Sequence, residues 1–219
     1  MSKRNTPQCP TTPRRLPKNP RRGLQHLADT DPAMAEAIDQ VGRVPLKRHP
    51  ATLHAICCQV IGQQLSMHVA GVIGRRFTKL TGPGESVTPR KLLKLKEEDL
   101  REAGLSGAKV RTIRALAEFW EEEQLTVEGL SDLPDEELIK LLTRVKGIGP
   151  WTVKMFLIFS LRRPNVLPQE DLGLRAGMKK IYGLKEMPSI KETLALGEKW
   201  APWCTLGTHY CWEVLKIGD

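Results

Sequence analysis

Aromatic residues are scarce in this chain, 5% of its 219 positions. No convincing series of alternating strands accompanies them, which argues against a sheet-built fold. Cysteine is also sparse. Cys9, Cys57, Cys58, Cys204 and Cys211 are an odd number in a chain this long, so a disulfide framework is not expected. No window approaches the run of roughly 18 apolar residues needed to cross a bilayer. The N-terminus carries positive charge with no apolar stretch behind it, which is not the pattern of a secretory signal.

What is present is ordinary in amount and unusual in placement. Hydrophobic residues make up 40% and charged residues 27%, enough for a substantial core, and the formal net charge is +9. Such a balance favours a polyanionic partner, nucleic acid first and an acidic membrane surface second. The charge is concentrated at one end. Residues 1–22 hold seven Lys/Arg, five Pro and no acid, which leaves 27 of the 34 basic residues against all 25 acids, a net of +2, for the rest. This segment has almost nothing to bury and reads as a disordered, basic, Pro-rich arm. It is either a loose phosphate-binding arm or a solvated tail.

Beyond residue 22 the pattern is helical, and the fold class is all-α. Asp31-Pro32 opens a helix through Val41, with the acid as N-cap and proline at the first helical position. Ala51 to Gln64 is apolar on most sides. Val69 to Leu80 and Val110 to Trp120 repeat apolar residues at helical spacing, and shorter helices fit Thr88 to Leu95 and Glu97 to Ala103. Pro134 followed by three acids is a strong helix start, continuing to about Arg144. Thr152 to Leu161 is apolar nearly all round and reads as the central buried helix. Leu172 to Ile181 and Pro202 to Ile217 complete the chain. Residues 82–87 and 163–170 lack periodicity.

Two places carry chemistry. Val145-Lys146-Gly147-Ile148-Gly149-Pro150-Trp151 lies between two helices. Gly147 and Gly149 permit backbone shapes and close approaches that a Cβ hinders, and Ile148 can plug the turn. The first N–H groups of the following helix have no internal partner, so the turn presents donors beside a positive dipole end. That suits a phosphate oxygen and is indifferent to base sequence. Further on, Glu170-Asp171 stands at a helix start, where a carboxylate either caps free N–H groups or serves a reaction.

The order of these elements narrows the reading. A helix, Lys-Gly-Ile-Gly-Pro-Trp-Thr at 146–152, an apolar helix, then Leu-Pro-x-x-Asp-Leu-x-x-Arg at 167–175 resembles the helix-hairpin-helix DNA glycosylase superfamily. The nearest likeness is to its alkylation-repair branch, 3-methyladenine DNA glycosylase II. Gly62-Gln63-Gln64-Leu65-Ser66, Ala103-Gly104-Leu105-Ser106 with Lys109, and Trp200-Ala201-Pro202-Trp203 resemble further segments of that branch. The likeness covers about residues 45–217.

The resemblance implies two helical subdomains flanking a DNA-binding cleft, with the helix-hairpin-helix at about 135–161. Residues 51–162 would form one subdomain, and 23–50 with 163–219 the other. Asp171 matches the catalytic aspartate. Trp151 and Trp212 match aromatics of a base pocket, where electron-rich faces favour cationic bases. Met155 stands where some relatives carry tyrosine, and Cys204 where some carry arginine. Trp151 also occupies the position of the lysine that forms a Schiff base in endonuclease III-like relatives, so strand cleavage is not expected. Lys146, Gly147, Ile148, Gly149 and Thr152 are the expected DNA contacts, and carbonyls between 145 and 149 can hold a sodium or potassium ion in this family. Gln64 matches the wedge that fills the gap left by a flipped base, with Leu65 beside it, and Leu105 lies in a turn that can meet the opposite strand.

No other cofactor is expected. Cys204 and Cys211 have the first spacing of the family's C-x6-C-x2-C-x5-C iron–sulfur pattern, but position 214 is Val and no cysteine follows. His68 and His209 lack companions at metal-ligand spacing. The implied activity is hydrolytic removal of alkylated bases from double-stranded DNA by a monomer, leaving an abasic site. The implied location is the cytoplasm, with the nucleoid, in a bacterium or the nucleus in a eukaryote. Two alternatives stay open: a uracil- or mismatch-removing glycosylase, and a helix-hairpin-helix protein that binds DNA without chemistry.

Overall fold

A computed structural model describes residues 15–46, 49–82 and 84–218, and among these every regular element is helical. The chain separates into two compact units, one drawn from Met1–Leu46 with Arg162–Asp219 and the other Lys47–Leu161.

The first unit begins with α1 (Arg21–Thr30) and α2 (Pro32–Val41). Here the expectation of an arm through residue 22 needs correction. Residues 1–14 lie outside the described chain, but Leu16 is 4% exposed and joins this unit's core. Its N–H bonds the carbonyl of Arg162 at 2.6 Å, while the Arg162 guanidinium donates to the carbonyl of Pro17 at 3.2 Å. A single leucine among prolines thus finds a hydrophobic seat, and helix formation starts at Arg21. Later in the chain the unit adds α11 (Leu172–Ile181), α12 (Ile190–Gly197) and α13 (Cys204–Val214).

The core of this unit gathers Leu27, Met34, Leu174, Met178, Trp200 and Tyr210. At its centre stands a carboxylate. Asp31, 1% exposed, caps α2 through the Met34 N–H at 3.3 Å. It also accepts from the Trp200 indole N–H at 2.9 Å and from the Tyr182 hydroxyl, and pairs with Lys199 at 3.2 Å. Burial opposes the charge, but these donors outweigh it and hold the Asp31 carboxyl below its ordinary pKa. The helices that matter most for the site cross closely: a Cβ at Gly177 of α11 would lie 2.1 Å from the carbonyl oxygen of Cys211 in α13. Only glycine permits that backbone contact.

The second unit comprises α3 (Leu53–Gly62), α4 (Met67–Thr81), α5 (Pro89–Lys94), α6 (Glu97–Glu102), α7 (Gly107–Glu122), α8 (Val127–Asp132), α9 (Asp135–Leu142) and α10 (Pro150–Phe156). Thr52, Ser66, Thr88, Ser106 and Thr126 cap α3, α4, α5, α7 and α8 with their hydroxyls. Such a cap typically stabilises a helix by about 1 kcal/mol. Helix α3 buries Leu53, Ile56, Cys57, Val60 and Ile61, and packs against α4, α7 and α10. The apolar helix expected at 152–161 starts at Pro150 and changes at Leu157–Leu161 into a π turn. In that wider turn the Phe159 carbonyl accepts from the His49 N–H at 3.1 Å, and the two rings stack. Among the described residues no helix is long and apolar enough to cross a membrane.

Asp31→Asn is expected to lower stability by roughly 3 kcal/mol, because it leaves buried donors poorly matched. Urea denaturation at neutral pH checks this. The unfolded carboxyl titrates near about 4, above the folded one, so the contribution is complete above that range and fades as pH falls through the lowered pKa. The parent and the Asn variant should therefore converge in stability in acid.

Candidate functional site

In the second unit the hairpin joins α9 to α10. Its turn closes when the N–H of Val145 bonds Leu142 at 3.2 Å and that of Ile148 bonds Val145 at 3.0 Å. Gly147 has φ +95°, and a Cβ there would sit 2.0 Å from the Thr112 hydroxyl oxygen of α7. Gly149 is different. Its φ is −99°, nothing lies within 4 Å of its would-be Cβ, and its carbonyl receives the N–H groups of Thr152 and Val153. The N–H groups of Lys146, Gly147 and Gly149 take no part in these bonds, and Lys146 and Gly147 are exposed. That is the chemistry of an anion-binding turn.

Two expected contacts are corrected. Ile148 is 4% exposed and serves as the plug of the turn rather than as a DNA-facing residue. Thr152 is buried, and its hydroxyl accepts from the Gln63 amide at 2.8 Å, so its side chain is committed inward. Trp151, half-buried, opens α10, whereas Met155 is 4% exposed and presents no open face.

The turn between α3 and α4 carries Gln64 and Leu65, both exposed. Gln64 adopts φ +56°, an uncommon conformation for a residue other than glycine. Lys109 of α7 braces the turn, donating to the carbonyls of Ile61 at 2.6 Å and Gln63 at 2.9 Å. Leu105 is corrected as a wedge: at 2% exposed it is a core residue, and its carbonyl accepts from Arg101 at 2.8 Å. The turn it occupies runs on the surface only through its neighbours.

In the first unit, the segment 163–170 is irregular but pinned. The Thr205 hydroxyl donates to the Arg163 carbonyl at 2.6 Å and accepts from the Val166 N–H at 3.1 Å, while the Thr205 N–H bonds the Pro164 carbonyl. The segment ends at Asp171, half-buried, whose Oδ1 caps α11 through the Leu174 N–H at 2.6 Å. The same oxygen accepts the indole N–H of Trp212 at 2.8 Å. The capping and the reactive readings of this acid are thus compatible in one side chain. Trp212 in turn meets the edge of His209 at 5.3 Å between ring centroids, the planes at 90°. Burial, with Arg162 and Lys216 nearby, lowers the His209 pKa to about 4 against a smaller opposing effect of Glu213, so this ring is neutral at pH 7.

Sequence reasoning gives Gln63 no role beyond its place in the Gly62–Ser66 stretch, weighs His209 only as a metal ligand, and does not single out Thr112 or Thr205. The Gly62–Ser66 stretch is the available signal for Gln63, but it does not reveal which groups the side chain holds. The other three are polar residues on helices, without a motif of their own.

The turn geometry makes a stability test. Gly147→Ala should cost at least about 2 kcal/mol, from the left-handed φ and the clash with Thr112, while Gly149→Ala should change stability by less than about 0.5 kcal/mol. Chemical denaturation of both variants checks this. Equal costs would contradict the difference between the two glycines.

The pattern of the family described as HhH-GPD superfamily base excision DNA repair protein matches residues 57–202. DNA-3-methyladenine glycosylase 1 of Schizosaccharomyces pombe is 36% identical over 161 residues, covering 73% of this chain and 71% of that protein. The structure of the 3-methyladenine DNA glycosylase Mag1 of that yeast, in complex with abasic DNA, superposes with a TM-score of 0.78 at 30% identity, over 90% of this chain and 98% of the other. A DNA-3-methyladenine glycosidase structure from Bacillus halodurans gives 0.75 at 33% identity, covering 88% of both chains. The chain is a member of the HhH-GPD superfamily of base excision DNA repair proteins.

Proposed function

We propose that this protein is a monofunctional DNA glycosylase that flips alkylated bases of the 3-methyladenine type out of double-stranded DNA and removes them by hydrolysis. The observation that carries the reading is the Asp171 carboxylate, held by the Leu174 N–H and the Trp212 indole on one oxygen, in a chain of this family. Cleavage of the N-glycosidic bond sends the bonding electrons to the base and leaves positive charge on the sugar. A fixed carboxylate stabilises that charge, and water then adds to the sugar carbon and loses a proton. An alkylated purine that is already cationic leaves as a neutral base and needs little help from a general acid.

Trp151 supplies no amine where a Schiff-base lysine would stand, so the product is an intact strand bearing an abasic site. Trp151 in the second unit and Trp212 in the first each carry an indole, whose face attracts an electron-poor base. The free-standing N–H groups of the hairpin and Lys146 take a phosphate, and Gln64 with Leu65 fills the vacated stack. A sodium or potassium ion at the hairpin fits the carbonyls of Val145 and Gly147, which accept from the Ile148 N–H and the Gln63 amide and carry a second lone pair each. Such an ion would add positive charge beside the phosphate. The protein acts as a monomer on DNA, in the nucleoid of a bacterium or the nucleus of a eukaryote.

Duplexes carrying single defined lesions, treated with the protein and then with alkali, test the reading. Strand breaks should appear only after alkali, and only with alkylated bases. Asp171→Asn should lose about 100-fold or more in single-turnover rate while binding the same duplex with unchanged affinity. Breaks at uracil alone would overturn the alkylation assignment. Breaks before alkali would overturn the monofunctional one.

A further inference from the structure

Among the described residues, Gln63 joins two surface turns of the second unit, the one between α3 and α4 and the hairpin. Its backbone belongs to the turn that carries Gln64. Its Nε2 donates to the carbonyl of Gly147 at 3.0 Å and to the hydroxyl of Thr152 at 2.8 Å, so it links the hairpin turn to the first turn of α10. Helix α7 supports the same two turns from beneath. Lys109 holds the Ile61 and Gln63 carbonyls, and Thr112, one turn along the same helix face, lies under Gly147. Burial lowers the Lys109 pKa, which is the expected cost of drawing an ammonium group in to brace a turn.

The arrangement forms a closed set of links: turn to hairpin through Gln63, turn to α7 through Lys109, hairpin to α7 through the fit of Thr112 against Gly147. Gln64 sits at the strained point of this set, at φ +56°. A conformation of that kind is unfavourable for a residue other than glycine and persists only where the surroundings impose it.

We propose that Gln63 is a positioning residue for base extrusion, fixing the turn at Gln64 to the phosphate-gripping hairpin so that phosphate capture and insertion of Gln64 occur as one event. This rests on the reading of Gln64 as the wedge and the hairpin as the phosphate site. Neither function belongs to Gln63 itself, whose amide points into the protein. Its part is to keep the two turns at one spacing, so that hairpin contact with the backbone presents Gln64 at the correct step along the duplex. Without the tether the hairpin still offers its N–H groups, but the turn relaxes away from the conformation that inserts.

The test uses the full chain and the variants Gln63→Met, which keeps length and removes both donors, and Gln63→Glu, which keeps an acceptor for Thr152 but cannot donate to Gly147. The probe is a duplex with a non-cleavable alkylated purine beside 2-aminopurine, whose fluorescence at saturating protein reports opening independently of affinity. Anisotropy on a lesion-free duplex reports the backbone grip, and thermal melting reports folding. Gln63→Met and Gln63→Glu should melt within a few degrees of the parent and bind lesion-free duplex within about threefold. Both should lose about tenfold in the opened-to-closed ratio and in single-turnover excision. An opened ratio equal to the parent's in both variants overturns the proposal. Gln64→Ala is the control for the underlying reading. If it lowers opening while the Gln63 variants do not, only the tether is wrong. If it leaves opening unchanged, the wedge assignment itself fails. Should Gln63→Met unfold, Gln63→Glu carries the comparison. Should lesion-free binding fall as steeply as opening, Gln63 merely supports the hairpin and the proposal is overturned.

Discussion

The buried carboxylate of Asp31 is the interaction on which the first unit depends. It ties the beginning of α2 to Tyr182, just past the end of α11, and to Lys199 and Trp200, just ahead of α13. Those two helices carry Asp171 and Trp212. A single charged group is an expensive thing to place in a core, and it is tolerated here because four donors converge on it. The result is that one acid, ionised at neutral pH and buried, sets the frame in which a second, half-buried acid is presented. The two carboxylates share a structural device, the helix N-cap, and differ in what surrounds them.

The second unit solves its own problem by other means. Two surface turns, far apart in sequence, must hold shapes that their own local bonds do not enforce. Helix α7 acts as their common support, contributing an ammonium group to one and a threonine-lined seat to the other. Gln63 then joins the turns directly. Polar side chains therefore do the work of spacing here, while the apolar residues of α3 and α10 supply the mass of the core. The tendency of glycine toward left-handed backbone is used at Gly147 and not at Gly149, whose value is its open surroundings.

Much of this was legible in the sequence, for identifiable reasons. Helices α2, α4, α7 and α9 announce themselves by caps, periodic apolar residues and acids in the first turn, all of them local signals. Asp171 and the hairpin are legible because their motifs are contiguous. Three short helices are not. α1 follows a Pro-rich segment whose one buried leucine carries no pattern, and α8 offers only Val127 and Leu130 as apolar residues, with Gly129 between them. α12 does carry a signal, the Ser189 and Glu192 capping box, but little helical length beyond it. Gln63 is illegible because its partners stand 84 and 89 positions away. Leu105 and Thr152 are instructive in the other direction. Each sits in a segment with a DNA-binding resemblance, and each is buried, since a turn needs inward-facing residues to hold the outward-facing ones in place.

The crossing of α11 over α13 at Gly177 and Cys211 has a consequence for how this unit can change over time. Where helices are separated by side chains, a substitution alters the gap, and neighbouring rotamers absorb the change. Where two main chains touch, no such cushion exists, and the separation is set by atoms common to every amino acid. The distance between an aspartate on one helix and an indole on the other is thereby insulated from drift in most of the surrounding sequence. The exposed faces of both helices are free to vary in charge and size, yet the separation that brings the Trp212 N–H to Asp171 is anchored in backbone. The same economy makes position 177 brittle, because even one methyl group there would act as a spacer and part the pair.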